Sequence, residues 1–303
     1  MTRRIVLAGA SGLIGRELAA ALRHRGDEVH LLVRGEVQGQ YEHSWNPSIG
    51  EVDATVLSDR VLSGADALIS LNGASVGHLP WTKSYKSQLL ASRLNSTRAL
   101  ARAVRQLGAG APKAWLSASA VGYYGDRPGE DLSEASSAGD SFLARLCVEW
   151  EAAARVTESS TRVVLLRTAP VLHPQGVLKP MITLTKLGLG GPLGSGQQVW
   201  PWISLTDEVR GIVHALDRGL SGPINLTGPS LATANEIGRE LAAELRRPFL
   251  MPAPGFALKL ALGKDASESL LLADAAVRPD ALLSSGFEFE HATPAEAIRA
   301  SLG

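Results

Sequence analysis

One cysteine, Cys147, in 303 residues leaves no partner for an internal disulfide, and a reducing compartment is the expectation. An excess of either charge is also missing. Thirty Lys and Arg offset thirty Asp and Glu, so no bulk field draws the chain to nucleic acid or to an acidic membrane. Neither kind of partner is expected. Apolar runs stay well short of the roughly eighteen residues a membrane span needs, and the run behind Arg3-Arg4 is too brief for a signal peptide. A cytoplasmic location follows as the expectation. The histidines are scattered, no group has metal-ligand spacing, and no bound metal is expected. Repeats, low-complexity tracts and zinc-finger spacings are absent as well.

What the chain has is ordinary globular composition, 45% hydrophobic and 20% charged, together with one informative turn. Ile5-Val6-Leu7-Ala8 reads as a strand and runs directly into Gly9-Ala10-Ser11-Gly12-Leu13-Ile14-Gly15. A helix with Leu18 and Leu22 on one side follows, and Gly26 ends it before the strand at 28–33. Such a strand–turn–helix–strand unit offers free N–H groups and a positive helix end to a pyrophosphate. Beyond it, apolar strands at 65–71, 113–119 and 161–166 alternate with helices at 83–107 and 142–154. The pattern predicts an α/β fold, a doubly wound parallel sheet covered on both faces. Composition shifts after Leu172. A glycine-dense loop at 188–196 lacks a leading strand and a following helix, so it reads as a substrate-side loop, not a second phosphate site. Trp200 and Trp202 after it suit either a cofactor wall or core packing. Asp207 fits the capping of a helix N-terminus.

The second strand ends in Val33-Arg34-Gly35. A carboxylate there would bind the ribose hydroxyls of NAD, whereas a guanidinium suits the extra phosphate of NADP. Glu36 is the only nearby carboxylate that argues for NAD. NADP(H) is the expected cofactor, with Arg34 on its 2′-phosphate.

The chain resembles an atypical extended short-chain dehydrogenase/reductase, of the epimerase-like group related to human family 39U. The segments that carry the resemblance are GASGLIG (9–15), LLVR (31–34), LNGAS (71–75), SRLNST (92–97), SASAVGYYG (117–125), RVVLLRTAPVL (162–172), PWISLTDEV (201–209) and RRPFLMPAP (246–254). It implies a Rossmann domain over 1–175 and a smaller C-terminal α/β, substrate-side lobe over 176–303, with 204–227 returning to the first. It also implies that Gly9, Ser11, Gly12, Leu13 and Ile14 wrap the pyrophosphate. Leu71, Asn72 and Gly73 would line the adenosine ribose, Gln88 and Arg93 would face the cofactor, and Pro170 with Val171 would border the nicotinamide. Asn72 stands where the family has alanine, so its backbone role carries over more securely than a side-chain role.

Ordinary members use a Tyr-x-x-x-Lys pair, in which the lysine lowers the phenol pKa as hydride moves. This chain lacks it: Tyr41, Tyr85, Tyr123 and Tyr124 have no lysine four residues on, and none occurs between Lys113 and Lys179. Aligned through Glu151, Leu143 and Cys147 occupy the two positions. Ser119 matches the family serine that polarises a carbonyl, and Tyr123 or Tyr124 offers a phenol. The expected function is an NADP(H)-binding oxidoreductase or epimerase acting on a small-molecule carbonyl or alcohol. The alternative is a non-catalytic NADP(H)-binding sensor. No feature assigns an oligomeric state.

Overall fold

The computed structural model describes residues 2–47 and 61–303. The first half alternates strands and helices: β1 (Arg4–Ala8), α1 (Leu13–His24), β2 (Glu28–Val33), β3 (Glu42–Ser44), β4 (Ala67–Ser70), α2 (Lys83–Leu107), β5 (Ala114–Ala120), β6 (Asp131–Leu132), α3 (Phe142–Arg155) and β7 (Arg162–Thr168). Then come α4 (Leu178–Lys186), α5 (Leu205–Asp217), β8 (Gly222–Leu226), α6 (Ala234–Glu244), α7 (Gly255–Leu262), α8 (Lys264–Ser267), β9 (Ala276–Val277), α9 (Asp280–Ser284) and α10 (Pro294–Leu302).

Seven strands form one sheet in the order β3-β2-β1-β4-β5-β7-β8, with every pairing parallel. This is the doubly wound, Rossmann-type sheet. Its chain order reverses beside β1, and crossing strands of this kind open a crevice at their C-terminal ends. Alternate strand residues feed two different cores. Ile5, Leu7, Ile69, Leu116, Val164 and Leu166 pack against Leu18 and Leu22 of α1 and Val209 and Ile212 of α5. Val6, Leu68, Trp115, Val163 and Leu165 pack against Ala99, Leu100 and Val104 of α2. Burial on both faces explains why these strands read as nearly unbroken apolar runs.

A third core forms where Trp200 and Trp202 pack with Leu172, Ile237, Leu241 and Ile298. Both tryptophans are therefore core residues, and their indole N–H groups donate to Leu271 O and Ser230 O. β6 and β9 form a separate two-stranded parallel pair that ties the loop after β5 to the segment after α8. The early edge strand lies at Glu42–Ser44, just before Trp45, which is buried. The helix at Leu178–Lys186 has no counterpart in the sequence reading; Pro180 in its first turn and β-branched Ile182, Thr183 and Thr185 mask it.

At α5, Ser204 is the N-cap and accepts from the Asp207 N–H at 3.0 Å. Asp207 is buried one turn in and accepts from the N–H groups of Glu290 (2.8 Å) and His291 (3.0 Å). Its carboxylate therefore staples the chain's last loop to the sheet. Hydrogen bonds to a buried charge contribute about 1.5–3 kcal/mol each. Asp207→Ala is expected to destabilise the protein by roughly 3 kcal/mol in urea denaturation. A loss under about 0.5 kcal/mol would contradict the clamp.

Candidate functional site

The turn between β1 and α1 is shaped by glycine. Gly9 has a φ of +93°, and a Cβ there would lie 2.8 Å from the Leu71 carbonyl carbon. Only glycine lets the chain turn so tightly against the end of β4. Gly15 packs directly on the Gly9 carbonyl, where any side chain would collide. Helix α1 begins at Gly12 with no side-chain cap and no acidic residue in its first turn. Its leading N–H groups are thus left to an outside acceptor, and the helix dipole favours an anion. Ser11 is exposed beside them, and Leu13 and Ile14 are half-buried.

The end of β4 closes against this turn. Gly9 abuts Leu71 and the Asn72 N–H, and Gly73 faces Arg93, whose guanidinium carbon would lie 3.0 Å from an added Cβ. Arg93 donates to Leu89 O at 3.1 Å and lies over the Trp150 ring at 5.1 Å. Burial holds its guanidinium below the ordinary arginine value, with opposing contributions from Cys147 and Tyr85. Gly9, Leu71, Asn72, Gly73 and Arg93 therefore form one cradle. Gln88, also on α2, is exposed outside that group. Arg34 is exposed at the end of β2. Pro170 is exposed just past β7, and Val171 is buried in a bridge to Ile203. A dinucleotide fits these residues: a tight glycine turn, an uncapped helix end and the Arg93 guanidinium close by.

Beside the cradle, β5, α3 and β7 share a buried polar network. Arg167 and Glu151 pair through two bonds, 2.8 Å and 3.0 Å. Burial opposes the Arg167 charge, but the bonds and charge of Glu151 outweigh it and hold the guanidinium above its ordinary pKa. Ser119 donates to Glu151 at 2.7 Å and is only 4% exposed. Tyr124 is fully buried, accepts from Arg167 at 2.9 Å and donates to Asn225 at 2.7 Å. Burial pushes its phenol up to about 12. Tyr123 is half-buried, with the Arg167 guanidinium 3.5 Å above its ring. Ser119 and Tyr124 are thus engaged by the protein itself. Tyr123 alone of the three keeps a hydroxyl without a hydrogen bond among the described residues.

On the neighbouring side of β7 stands a carboxyl with little support. Glu208 is fully buried in the first turn of α5. One oxygen accepts from Thr168 Oγ1 at 2.8 Å, and the other has no partner. Burial pushes it up to about 8, against a small opposing effect of the Thr168 bond.

The NAD dependent epimerase/dehydratase family pattern matches residues 5–226, which span most of the described sheet. The chain belongs to that family. Members of the epimerase/dehydratase family among its relatives include Epimerase family protein MT2273 of Mycobacterium tuberculosis, 41% identical over 97% of this chain and 96% of that one. Human Epimerase family protein SDR39U1 is 32% identical over 94% of this chain and 95% of its own. The crystal structure of isoform 2 of that human protein with NADPH superposes with a TM-score of 0.87, covering 98% of each chain at 31% identity. Residues 253–301 match a domain of unknown function, DUF1731.

On α3, Leu143 and Cys147 lie in an apolar cluster with Trp81, Leu146, Trp150 and Ala266 of α8. Burial, reinforced by Glu151, pushes the Cys147 thiol up to about 12, so it remains a neutral packing group. Sequence reasoning missed Arg167 as a site-forming residue. Its signal was there: an arginine inside the apolar strand RVVLLRT needs a buried acid, and Glu151 was already marked as an alignment anchor. Glu208 carried no such signal, because Asp-Glu in the first turn of a helix is ordinarily a solvated dipole partner.

Breaking a buried pair costs about 3–5 kcal/mol, while replacing both partners by apolar groups costs far less. Arg167→Met is expected to lose stability in that range, and Arg167→Met with Glu151→Met to recover much of it in a double-mutant cycle. Additive losses would show that the two do not act as a pair. Glu208 has the opposite sign from an ordinary carboxylate. Its folded pKa lies above its unfolded value, so its contribution is full below the unfolded pKa near 4.5 and is lost as pH rises through about 8. Across that window wild type should lose stability relative to Glu208→Gln by roughly 1.4 kcal/mol per pH unit. Parallel stability–pH curves would contradict a buried neutral acid.

Proposed function

We propose that the protein is an NADP(H)-dependent oxidoreductase or epimerase acting on a small carbonyl or alcohol. The observation that carries the reading is the cradle at Gly9, where a tight turn against Leu71 brings the uncapped N-terminus of α1 beside Asn72, Gly73 and Arg93. The NADPH in the human relative's crystal structure supports the same cofactor. When bound, the nicotinamide supplies a hydride or accepts one. The chain's part is to bind, orient and exclude water.

In this reading Gly9, Ser11, Gly12, Leu13 and Ile14 wrap the diphosphate, and the N–H groups at the start of α1 donate to it, while the Gly12 N–H is held by Gly9 O. Arg34, at the end of β2, pairs with the 2′-phosphate, and no carboxylate occupies that strand end. Leu71, Asn72 and Gly73 line the ribose, Arg93 adds positive charge beneath, and Gln88, Pro170 and Val171 border the cofactor. Tyr123 contacts the substrate oxygen, while Ser119 and Tyr124 are positioning residues held by the Glu151–Arg167 network. Residues 1–175 form the cofactor domain and 176–303 the substrate lobe, with 204–227 rejoining the sheet.

A second reading has one observation in its favour. With Leu143 and Cys147 in the catalytic stripe, the chain would serve as a non-catalytic NADP(H) sensor.

Cofactor choice is tested by calorimetric titration of Arg34→Ala. NADPH affinity should fall about tenfold or more, in line with loss of a charge-assisted bond of about 1.5–3 kcal/mol. NADH affinity should change little. Equal losses for both would overturn the assignment to NADP(H).

A further inference from the structure

Two short stretches carry the barest apolar side chains of the described residues. Leu187, Leu250, Phe256 and Leu260 are 69%, 75%, 76% and 88% exposed, and no other large apolar side chain among the described residues exceeds 53%. Leu184, Leu189 and Met251, from the same stretches, are exposed as well. Hydrogen bonds join the stretches. The Leu250 and Met251 N–H groups donate to Gly190 O at 2.9 Å and 3.0 Å, and the Ala253 N–H donates to Pro192 O at 2.8 Å. Helix α7 follows at once, and none of its eight residues is buried. Phe256 and Leu260 lie one turn apart on one face of it. Leu262, on the other side, packs on the cluster around Trp81 and Leu146. Single exposed leucines are ordinary, but a set of this size marks a surface that meets something.

The charges of these stretches have one sign. Residues 178–191 and 245–264 contain Lys179, Lys186, Arg246, Arg247, Lys259 and Lys264 and no Asp or Glu. Lys259 pairs with Glu268 at 2.8 Å, and the other five make no ion pair among the described residues. The acids that flank the second stretch are taken, Glu244 by Arg299 and Asp265 by Lys86. The zero net charge of the whole chain, from which no acidic membrane partner is expected, hides this local excess.

We propose that this face docks on an anionic lipid surface. Leu187, Leu250, Phe256 and Leu260 enter the boundary between headgroups and acyl chains, and the unpaired lysines and arginines meet the lipid phosphates. A second copy in a closed two-fold contact would set the same cations against one another. A protein partner needs a shaped counterpart, whereas side chains this exposed stand clear of their neighbours and line no groove. Fluid lipid accepts protruding apolar groups without one. Helix α7 is about 12 Å long, far short of a bilayer core, so the contact is peripheral. Docking needs neither cofactor nor turnover and does not rest on the function proposed above.

The test is flotation of the full chain with vesicles of phosphatidylcholine, alone or with about 30% phosphatidylglycerol. Wild type should float with the anionic vesicles and not with the neutral ones, and about 0.5 M salt should release most of it. Phe256→Asp combined with Leu260→Asp should lower the partition coefficient about a hundredfold or more. Arg246→Ser combined with Arg247→Ser should lower it about tenfold. Leu283→Asp, at an exposed apolar site on α9, should float as wild type does. All of these positions are exposed, and circular dichroism should show every variant folded. No flotation of wild type with anionic vesicles overturns the proposal, as does flotation unchanged in the Phe256 and Leu260 variant. An equal loss in Leu283→Asp overturns it too, since any apolar surface residue would then serve. A solution dimer seen by light scattering that the Phe256 and Leu260 substitutions dissociate, in a chain that ignores vesicles, makes a second copy the occupant and overturns it likewise.

Discussion

A glycine at φ +93°, pressed against the Leu71 carbonyl, is the constraint on which the rest of this site depends. No side chain is tolerated there, so β1 can end within contact of β4. That contact puts the uncapped start of α1 beside the crest that carries Asn72, Gly73 and the guanidinium of Arg93. Elsewhere in the sheet, pleat and pairing need only apolar residues of suitable size. At Gly9 the geometry demands one residue type, because the Leu71 backbone occupies the space a side chain would need.

The other organising interaction is the Arg167–Glu151 pair. It joins β7 to α3 and, through Tyr124, Asn225 and Glu134, reaches β8 and the 278–281 segment of the lobe. A buried pair of this kind is weak evidence for net stability, since apolar replacements often do as well. Its consequence here is geometric. It fixes Ser119 and Tyr124 in engaged positions and stacks a cation on Tyr123.

Much of this was legible in the residues. The glycine spacing behind Ile5–Ala8 announced the turn, and alternation of apolar strands with amphipathic helices announced a parallel sheet. The long helix at 83–107 has those bounds in the structure because Thr82 caps it and Gly108 ends it. Less legible were the features made by distant partners. Asp207 looked like a local cap, yet its carboxylate also holds amides 83 and 84 positions away. Glu208 looked solvated, and only the packing of α5 on the sheet shows it sealed against Thr168. The helix at Leu178–Lys186 was hidden by residues with poor helical propensity, and tertiary contacts override that propensity. Local pattern reports what the chain does with its neighbours. Burial of charge is decided by partners that sequence spacing does not bring together.

The most direct measurement of the central claim is isothermal calorimetry of NADPH with the intact chain, compared with Gly9→Val. The account predicts saturable one-site heat for the native chain and its loss in a variant that circular dichroism shows to be folded. A native chain that produces no binding heat with NADPH, or a folded Gly9→Val variant that binds it equally well, would contradict the claim that this turn cradles the cofactor.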